Sequence, residues 1–359
     1  MKKKRSLFTR ILLGIAVSLA VLLGIVLSAI FVVMLVVAPK FQIPKTVAHN
    51  KKLPFLTIGK KKLHARVFGA RNAPVILVLH GGPGDDFRSL LPLKSLAKDG
   101  YRVVFYDRSG AGLSPRVPPS KSTFKLALRE LEQVVKTVGK GKPVALLGFS
   151  WGATLSTYFL AKHPKQVAAA VLVEPEILTD KELRDAGSIV FQEYFWKRFR
   201  LLFLSIFEGL KLPTIDQEEP LDYMMARLKY APGNKIREAL WCKGKPPKGA
   251  LAHWRHGFGV ASSNIIPETN EHGELSMPPL KGLKKYNHEV LLLSGACNRV
   301  TGPALQKKHL SMFAKATLQI LPKAGHMMHL SQPALTRNAI LGYLKRRGFV
   351  PTSTTKPAK

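Results

Sequence analysis

A strand-like run that ends in a serine flanked by glycines limits the fold more than any other feature of this chain. Pro143–Leu147 leads directly into Gly148-Phe149-Ser150-Trp151-Gly152, and Ala153–Lys162 follows with helical spacing. A Gly-x-Ser-x-Gly turn between a strand and a helix is typical of a nucleophile elbow, which exposes the serine hydroxyl on a tight turn. The free amides at the N-terminus of the following helix favour negative charge nearby. We therefore expect Ser150 to act as a nucleophile.

Short apolar runs alternate with helical stretches on both sides of this turn. Seven runs are predicted as strands: Leu63–Phe68, Val75–Leu79, Arg102–Tyr106, Pro143–Leu147, Ala168–Val173, Val290–Leu293 and Thr317–Leu321. Thr123–Val138 is predicted as an amphipathic helix with Ser122 as its N-cap and Gly139 as its stop. Val- and Leu-rich strands separated by helices favour a mainly parallel sheet covered on both faces.

The alternation breaks between Pro175 and His288, where aromatic-rich helical patterns occur at Phe191–Phe207 and Leu221–Lys229. An inserted helical cap over residues 175–288 explains this break better than a second independent domain. The core would then comprise residues 58–174 and 289–350, with a linker at 39–57 and a flexible tail at 351–359.

The N-terminus has the pattern of a membrane anchor. Residues 1–10 are basic, and residues 11–38 contain no charged side chain. A membrane-spanning helix needs about 20 apolar residues, whereas the apolar region of a secretory signal peptide is usually about 7–15 residues. The positive-inside rule predicts a cytoplasmic N-terminus and a catalytic domain on the other side of the membrane.

Composition limits the partners further. The net charge is +34, which predicts attraction to anionic lipid head groups. Nucleic acid is not an expected partner, because the chain has no zinc-finger spacing, aromatic RNA-binding motif or basic repeat.

The hydrophobic fraction of 46% excludes a disordered chain. Cys242 and Cys297 allow at most one disulfide and exclude a cysteine-rich zinc module. We expect no cofactor and no metal.

A glycine-rich loop, His80-Gly81-Gly82-Pro83-Gly84, follows the strand Val75–Leu79. Such a turn can direct a backbone amide towards an oxyanion that develops beside the serine. We predict an oxyanion hole formed by the amides of Gly82 and Trp151, with Gly81 as the alternative to Gly82. His80 is expected to orient this loop rather than to transfer protons.

Together with Asp107-Arg108-Ser109-Gly110-Ala111-Gly112-Leu113-Ser114, these motifs resemble the proline iminopeptidase-like branch of the α/β-hydrolases. The resemblance covers about residues 60–350. It implies an α/β-hydrolase fold in which residues 107–114 form a structural turn, with Ser109 in place of the usual glycine. It also implies a general base in the loop after the last strand. His326, preceded by Gly325, fits that position, and His329 is its competitor.

The third member of the triad departs from the family pattern. The resemblance places an acid within residues 294–300, but the matching residue is Asn298, and no Asp or Glu follows Glu289. An asparagine cannot stabilise an imidazolium with a full charge. Some α/β-hydrolases carry the acid after the strand that follows the nucleophile helix. The resemblance therefore implies Glu174, at the end of the strand Ala168–Val173, as the preferred replacement, and Glu176 is a weaker one. The remaining alternative is that no acid is present.

These residues predict a membrane-anchored serine hydrolase that acts through an acyl-enzyme. The resemblance implies release of an N-terminal proline or a similar small residue from peptides. Recognition of an α-amine needs acids in the cap, and six are available: Glu193, Glu208, Asp216, Glu218, Glu219 and Asp222. The aromatic cap and the anchor suit acyl esters equally well. A catalytically degenerate binding protein on the same fold is favoured only by Asn298.

Overall fold

The structure, a computed structural model, describes residues 7–191, 198–214, 216–230, 240–242, 255–257, 259–260 and 280–351. Its centre is an eight-stranded sheet with the spatial order β1-β2-β4-β3-β5-β6-β7-β8. The strands are β1 Phe55–Ile58, β2 Lys61–Phe68, β3 Val75–Leu79, β4 Arg102–Tyr106, β5 Val144–Phe149, β6 Val167–Val173, β7 Val290–Gly295 and β8 Ala316–Leu321. Only the pairs β1–β2 and β2–β4 are antiparallel. The predicted, mainly parallel sheet is confirmed.

The described residues also form α-helices. They are α1 Leu7–Val36, α2 Phe124–Gly139, α3 Trp151–Lys162, α4 Asp180–Phe191, α5 Phe199–Leu210, α6 Glu219–Tyr230, α7 Pro303–His309, α8 Met328–Ser331 and α9 Pro333–Arg346. Alternate residues of each central strand point to opposite faces. Leu77 of β3 therefore joins a buried cluster with Leu131 of α2 and Leu155 of α3. Its neighbour Val78 joins a second cluster with Leu90 and Ile340, the latter from α9.

The sequence missed one strand. β1 begins at Phe55, inside the predicted linker, and pairs with β2 across the turn at residues 59–60. Pro54 and the lysines around it concealed this short edge strand. The preceding chain also belongs to the fold, because Thr46 and Val47 are buried and the Val47 N–H donates to Leu113 O at 2.9 Å.

The ends of α2 also differ from the prediction. The N-cap is Thr123 rather than Ser122, since the Thr123 hydroxyl accepts a hydrogen bond from the Leu126 N–H at 3.1 Å. The helix includes Gly139, and Lys140 follows with a φ of 49°. Each end of the helix therefore differs by one residue from the prediction. At the N-terminal end Ser122 and Thr123 are adjacent and either could cap the helix, and at the C-terminal end the left-handed residue is Lys140 rather than Gly139.

Helix α1 covers most of the predicted apolar segment, residues 11–38, but it begins earlier, at Leu7, and ends earlier, at Val36. Its stretch Ile11–Val36 has a mean hydropathy of 3.1 and is long and apolar enough to cross a membrane. Side chains along this stretch are largely exposed.

Helices α4, α5 and α6 lie within the predicted cap. Arg116 of the core joins this region through ion pairs with Asp222 at 2.7 Å, Asp216 at 2.9 Å and Glu218 at 3.1 Å. Parts of two predicted features, residues 192–197 of the first helical pattern and 352–359 of the tail, lie outside the described residues, as does much of the cap's second half.

Tyr343 of α9 ties together the strands that lead to the candidate site. Its hydroxyl donates to Glu289 O at 2.6 Å, just before β7, and accepts from the Ala170 N–H of β6 at 3.0 Å. We expect Tyr343→Phe to lower the free energy of unfolding by about 2 kcal/mol, because one buried and one partly buried backbone group lose a hydrogen-bond partner. Urea denaturation of the full chain measures this loss.

Tyr101→Phe is the matched control, because its hydroxyl makes one bond, to Phe349 O near the end of the described chain. A smaller loss is expected for this control. A Tyr343→Phe protein as stable as the wild type would contradict the assignment.

Candidate active site

Five parallel strands end at one edge of the sheet, and each is followed by a residue singled out by the sequence. These residues are His80 after β3, Ser150 after β5, Glu174 after β6, Asn298 after β7 and His326 after β8. The carboxyl ends of parallel strands form the common site of ligand binding in open α/β sheets. The fold therefore gathers the predicted residues at one edge.

Ser150 occupies a strained turn between β5 and α3. Its φ is 55° and its ψ is −124°, a conformation that non-glycine residues seldom adopt. Its N–H donates to Val173 O at 2.8 Å, and its carbonyl accepts from the N–H groups of Ala153 and Thr154. A Cβ on Gly152 would lie 2.5 Å from the carbonyl oxygens of Leu79 and His80, so only glycine fits there. This geometry is that of a nucleophile elbow.

The glycine-rich loop lies against this serine. A Cβ on Gly81 would be 3.0 Å from the Ser150 Cβ. Gly82 has a φ of 122°, and a Cβ there would lie 2.4 Å from the Asp85 nitrogen, so this position also requires glycine. Trp151 is the first residue of α3, where an N–H group has no acceptor within the helix. The choice of Gly82 and Trp151 as oxyanion donors remains a prediction.

Arg108 braces the same loop, a role that the sequence analysis did not assign. Its Nη2 donates to Pro83 O at 2.6 Å and to Gly81 O at 3.2 Å. The guanidinium also lies over the Trp151 ring, 3.9 Å from its centroid. Its backbone N–H donates to His80 Nε2 at 3.2 Å. One buried cation therefore contacts both segments of the predicted oxyanion hole.

His80 is held in its neutral form. Burial, with a further contribution from Arg108, lowers its pKa to about 3. Since Nε2 accepts a hydrogen bond, the proton resides on Nδ1, which donates to Gly81 O at 2.9 Å. These contacts agree with a loop-orienting role.

The rest of the motif at residues 107–114 is a structural turn. The Asp107 carboxylate accepts from the N–H groups of Leu113 at 2.9 Å and Phe87 at 3.0 Å. The N–H and the hydroxyl of Ser109 both donate to the buried Glu130 carboxylate. A glycine at position 109 could not make the hydroxyl bond to Glu130, because it has no side chain.

Glu174 lies against the imidazole of His326. One carboxylate oxygen, Oε2, is 2.6 Å from His326 Nδ1. The other, Oε1, accepts from the Ser294 hydroxyl at 2.7 Å and the Gly295 N–H at 2.9 Å. Glu174 is fully buried, and its φ of 48° is in the left-handed region. A buried carboxylate that is fixed by several donors is able to hold the ring in one orientation.

Asn298 supports the carboxylate instead of replacing it. Its Nδ2 donates to Glu174 Oε2 at 2.7 Å, and its Oδ1 accepts from the N–H groups of Val300 at 2.9 Å and Thr301 at 3.3 Å. These partners fix the amide orientation, because the reverse would set its oxygen against a carboxylate. An aspartate here would place two buried carboxylates side by side. The asparagine at this position is therefore compatible with an acid at Glu174.

The weaker candidates occupy other places. Glu176 Oε1 is 4.0 Å from His326 Nε2, on the opposite side of the ring from Glu174. His329 is buried, and its Nε2 has no hydrogen-bond partner in the described structure. Burial and the neighbouring His326 lower the pKa of His329 to about 3. The rings of both histidines pack against Phe149, but of the two histidines it is His326 that bonds with Glu174.

A segment of the predicted cap is fastened to the histidine loop. Cys242 and Cys297 form a disulfide. Leu240 O accepts from the His326 N–H at 2.6 Å, and a Cβ on Gly325 would lie 2.2 Å from the same oxygen. The loops that carry Asn298 and His326 are therefore both joined to residues 240–242.

Most of the predicted amine-binding acids have internal partners. Glu208 accepts from Arg227 at 2.6 and 3.0 Å, and three others pair with Arg116 as described above. Glu219 is buried, and Glu193 lies outside the described residues. Across the part of the chain that the structure describes, no group of three His, Cys, Asp or Glu could hold a metal ion.

Comparison with known proteins identifies the family. The alpha/beta hydrolase fold family matches residues 74–333, which is most of the chain. The chain belongs to this family. This hydrolase is similar in sequence to proline iminopeptidases, and the predicted fold and family are thereby confirmed.

Two curated relatives show how far the similarity extends. The proline iminopeptidase PfmaB of Pestalotiopsis fici is 31% identical over 289 residues, which cover 78% of this hydrolase and 95% of that protein. The proline iminopeptidase of Heyndrickxia coagulans is 38% identical over 102 residues, or 28% of this chain. This match covers 34% of the Heyndrickxia coagulans enzyme, and the match to the proline iminopeptidase of Thermoplasma volcanium covers 33% of that enzyme. The chain thus aligns with about a third of the length of each of these two relatives.

A solved structure has the same fold. The proline iminopeptidase-related protein from Thermus thermophilus aligns with a TM-score of 0.52 and 21% identity. The alignment covers 82% of this hydrolase and 97% of that chain.

His329 generates a prediction for the pH dependence of stability. Its pKa rises from about 3 in the folded chain to 6.5 in the unfolded chain, so only the unfolded chain is protonated between these values. Stability from this group is therefore present above pH 6.5 and is lost as the pH falls, by about 2 kcal/mol at pH 5. We expect His329→Gln to flatten the fall in unfolding free energy between pH 7 and pH 5.

Urea denaturation at several pH values gives this slope. Ser331→Ala, a nearby change without a titratable group, should keep the wild-type slope. An unchanged slope in His329→Gln would show that the buried imidazole does not contribute.

Proposed function

We propose that this hydrolase is a membrane-anchored serine aminopeptidase of the proline iminopeptidase-like type, which acts through an acyl-enzyme. The observation that supports it most is the 2.6 Å contact between Glu174 and His326 at the same sheet edge as the Ser150 elbow. Glu174 would serve as the acid of the triad, since the position where the family carries that acid holds Asn298. Similarity to PfmaB over 95% of that protein's length supports the peptidase class.

In the proposed mechanism, the Ser150 Oγ attacks the carbonyl carbon of the scissile bond as His326 Nε2 takes the hydroxyl proton. Glu174 stabilises the imidazolium through its bond to Nδ1, and the amides of Gly82 and Trp151 stabilise the oxyanion. Collapse of the tetrahedral intermediate breaks the amide bond, and His326 returns the proton to the leaving amine. Water then attacks the acyl-enzyme, giving its proton to His326, and Ser150 recovers that proton as the acid product leaves.

Glu176 is the candidate for recognition of the substrate's free amine. Its carboxylate is partly exposed and lies 4.0 Å from the nitrogen of His326 that takes part in catalysis, which is the substrate side of the ring. A carboxylate at this place can pair with the ammonium of an N-terminal residue. Glu176 would bind the substrate's ammonium in place of the cap acids, which are already paired with Arg116 and Arg227.

The same internal pairing favours a second candidate, hydrolysis of acyl esters. An ester of an uncharged acyl group needs no ammonium partner, and the nucleophile, the base and the oxyanion donors would be identical. The two candidates differ at Glu176, which only the aminopeptidase requires.

Anchoring is supported by the apolar stretch Ile11–Val36 and by the basic residues that precede it. We propose a single pass with the N-terminus in the cytoplasm and the catalytic domain on the opposite side. The high positive charge would add attraction to anionic lipid head groups.

The test compares three chromogenic substrates: prolyl-arylamide, its N-acetylated form and a short acyl ester. We expect the full chain to cleave prolyl-arylamide and N-acetylation to prevent cleavage. Glu176→Gln should raise KM for prolyl-arylamide about tenfold, since one ion pair is worth about 1.4 kcal/mol here, and should leave ester hydrolysis unchanged.

Ser150→Ala is the catalytic control, and Ser156→Ala, on the helix that follows Ser150, is its matched partner. Only Ser150→Ala should abolish turnover and labelling by a fluorophosphonate probe. Cleavage of the ester alone would favour the second candidate. A folded wild type that neither turns over nor takes the label would favour a degenerate binding protein.

A further inference from the structure

Helix α5 exposes an apolar face to the outside of the molecule. Phe199, Phe203, Ile206 and Leu210 are 63%, 36%, 43% and 63% exposed. Their spacings of four, three and four residues place them within about 60° of one another around the helix axis. This continuous stripe, termed the apolar face of α5, is the reverse of what a helix on a soluble surface normally presents.

The opposite side of α5 is polar and buried. Glu208 accepts hydrogen bonds from the Tyr223 hydroxyl at 2.6 Å and from Arg227 of α6. Gly209 permits close contact, because a Cβ there would lie 3.1 Å from Pro220 O. Helix α5 is thus fixed to α6 by its polar side, and the orientation of its apolar face is set by those bonds.

The apolar face lies next to the end of the proposed membrane span. The Lys211 ammonium, which directly follows α5, donates to Val37 O at 2.6 Å, just past the end of α1. The Lys40 N–H donates to the Tyr223 hydroxyl at 2.8 Å, and the Phe41 ring is 4.5 Å from the Tyr223 ring. The chain that leaves α1 is therefore attached to both α5 and α6.

Exposed charges around the apolar face are positive. Arg200, Lys211 and Lys40 are exposed, whereas the acid of this helix, Glu208, is buried in its bonds with Tyr223 and Arg227. An apolar stripe of Phe, Ile and Leu with flanking Lys and Arg is typical of helices that lie in the plane of a membrane surface. The cations match anionic head groups, and the apolar side chains match the acyl boundary beneath them.

We propose that α5 lies in the surface of the same bilayer that α1 crosses, with its apolar face inserted among the lipids. The proposal rests on the anchoring proposed above. Lipid is the occupant rather than a second copy of the chain, because the contact with Val37 holds α5 where α1 would leave the bilayer. The cap, and with it the candidate active site, would be held against the membrane instead of extending from it on a free tether.

The test uses the full chain in nanodiscs that contain anionic lipid, with the native disulfide kept oxidised. A cysteine introduced by Phe203→Cys, or in a second variant by Leu210→Cys, carries an environment-sensitive NBD fluorophore. Leu23→Cys, in the middle of α1, reports on anchoring, and Lys136→Cys on the exposed side of α2 is the soluble control. Two sets of nanodiscs carry the quencher at different depths: lipids brominated near the head-group end of their chains probe residues 203 and 210, and lipids brominated near the methyl end probe residue 23.

We expect about half of the NBD emission to be quenched at residues 203 and 210 and almost none at 136. Quenching at 23 without quenching at 203 and 210 would overturn the proposal while anchoring stands. Absence of quenching at 23 as well would overturn both. Energy transfer between two labelled copies at 203, without quenching by lipid, would assign the face to a dimer and also overturn the proposal.

Discussion

The hydrogen bond between Glu174 and His326 is the contact on which the candidate active site depends. An imidazole that accepts a proton from serine needs a fixed orientation and a compensating charge, and the family position for that charge holds an amide. In the proposed site, Glu174 would supply that charge from the neighbouring strand end, and the Ser294 hydroxyl, the Gly295 amide and Asn298 all donate to its carboxylate. The end of β7 and the loop after it therefore provide hydrogen-bond donors to a carboxylate that follows β6.

Much of this arrangement could be predicted from the sequence, because strand ends carry chemical signals that do not require tertiary information. The Gly-x-Ser-x-Gly turn, the glycine-rich loop and the Gly-His pair each follow an apolar run, and parallel strands bring such ends to one edge. The absence of acids after Glu289 excluded a replacement in the later loops. Glu174 followed from the resemblance, because some α/β-hydrolases carry the acid after the strand that follows the nucleophile helix. Strand β1 was missed because four residues beside a proline and several lysines give too weak a pattern.

Other features depend on tertiary contacts that no local pattern reveals. Arg108 was expected to belong only to a turn, yet its guanidinium reaches Pro83, Gly81 and the Trp151 ring. The role of Asn298 depends on which way its amide faces, and that is decided by the amides of Val300 and Thr301. The acids of the cap have the charge needed to bind an amine, but only the structure reveals that several are paired with arginines. The apolar face of α5 becomes unusual only once its polar side is seen to be buried.

The most direct test of the central claim compares second-order rates of fluorophosphonate labelling at Ser150 in Glu174→Gln and Asn298→Ala. If Glu174 is the acid, Glu174→Gln should slow labelling by at least about 100-fold, since loss of the charge costs up to about 10⁴ in a related triad. Asn298→Ala should slow it by about tenfold or less, because the carboxylate keeps its other donors. Wild-type labelling in Glu174→Gln, with strong slowing in Asn298→Ala, would contradict the account and assign the third role to the amide.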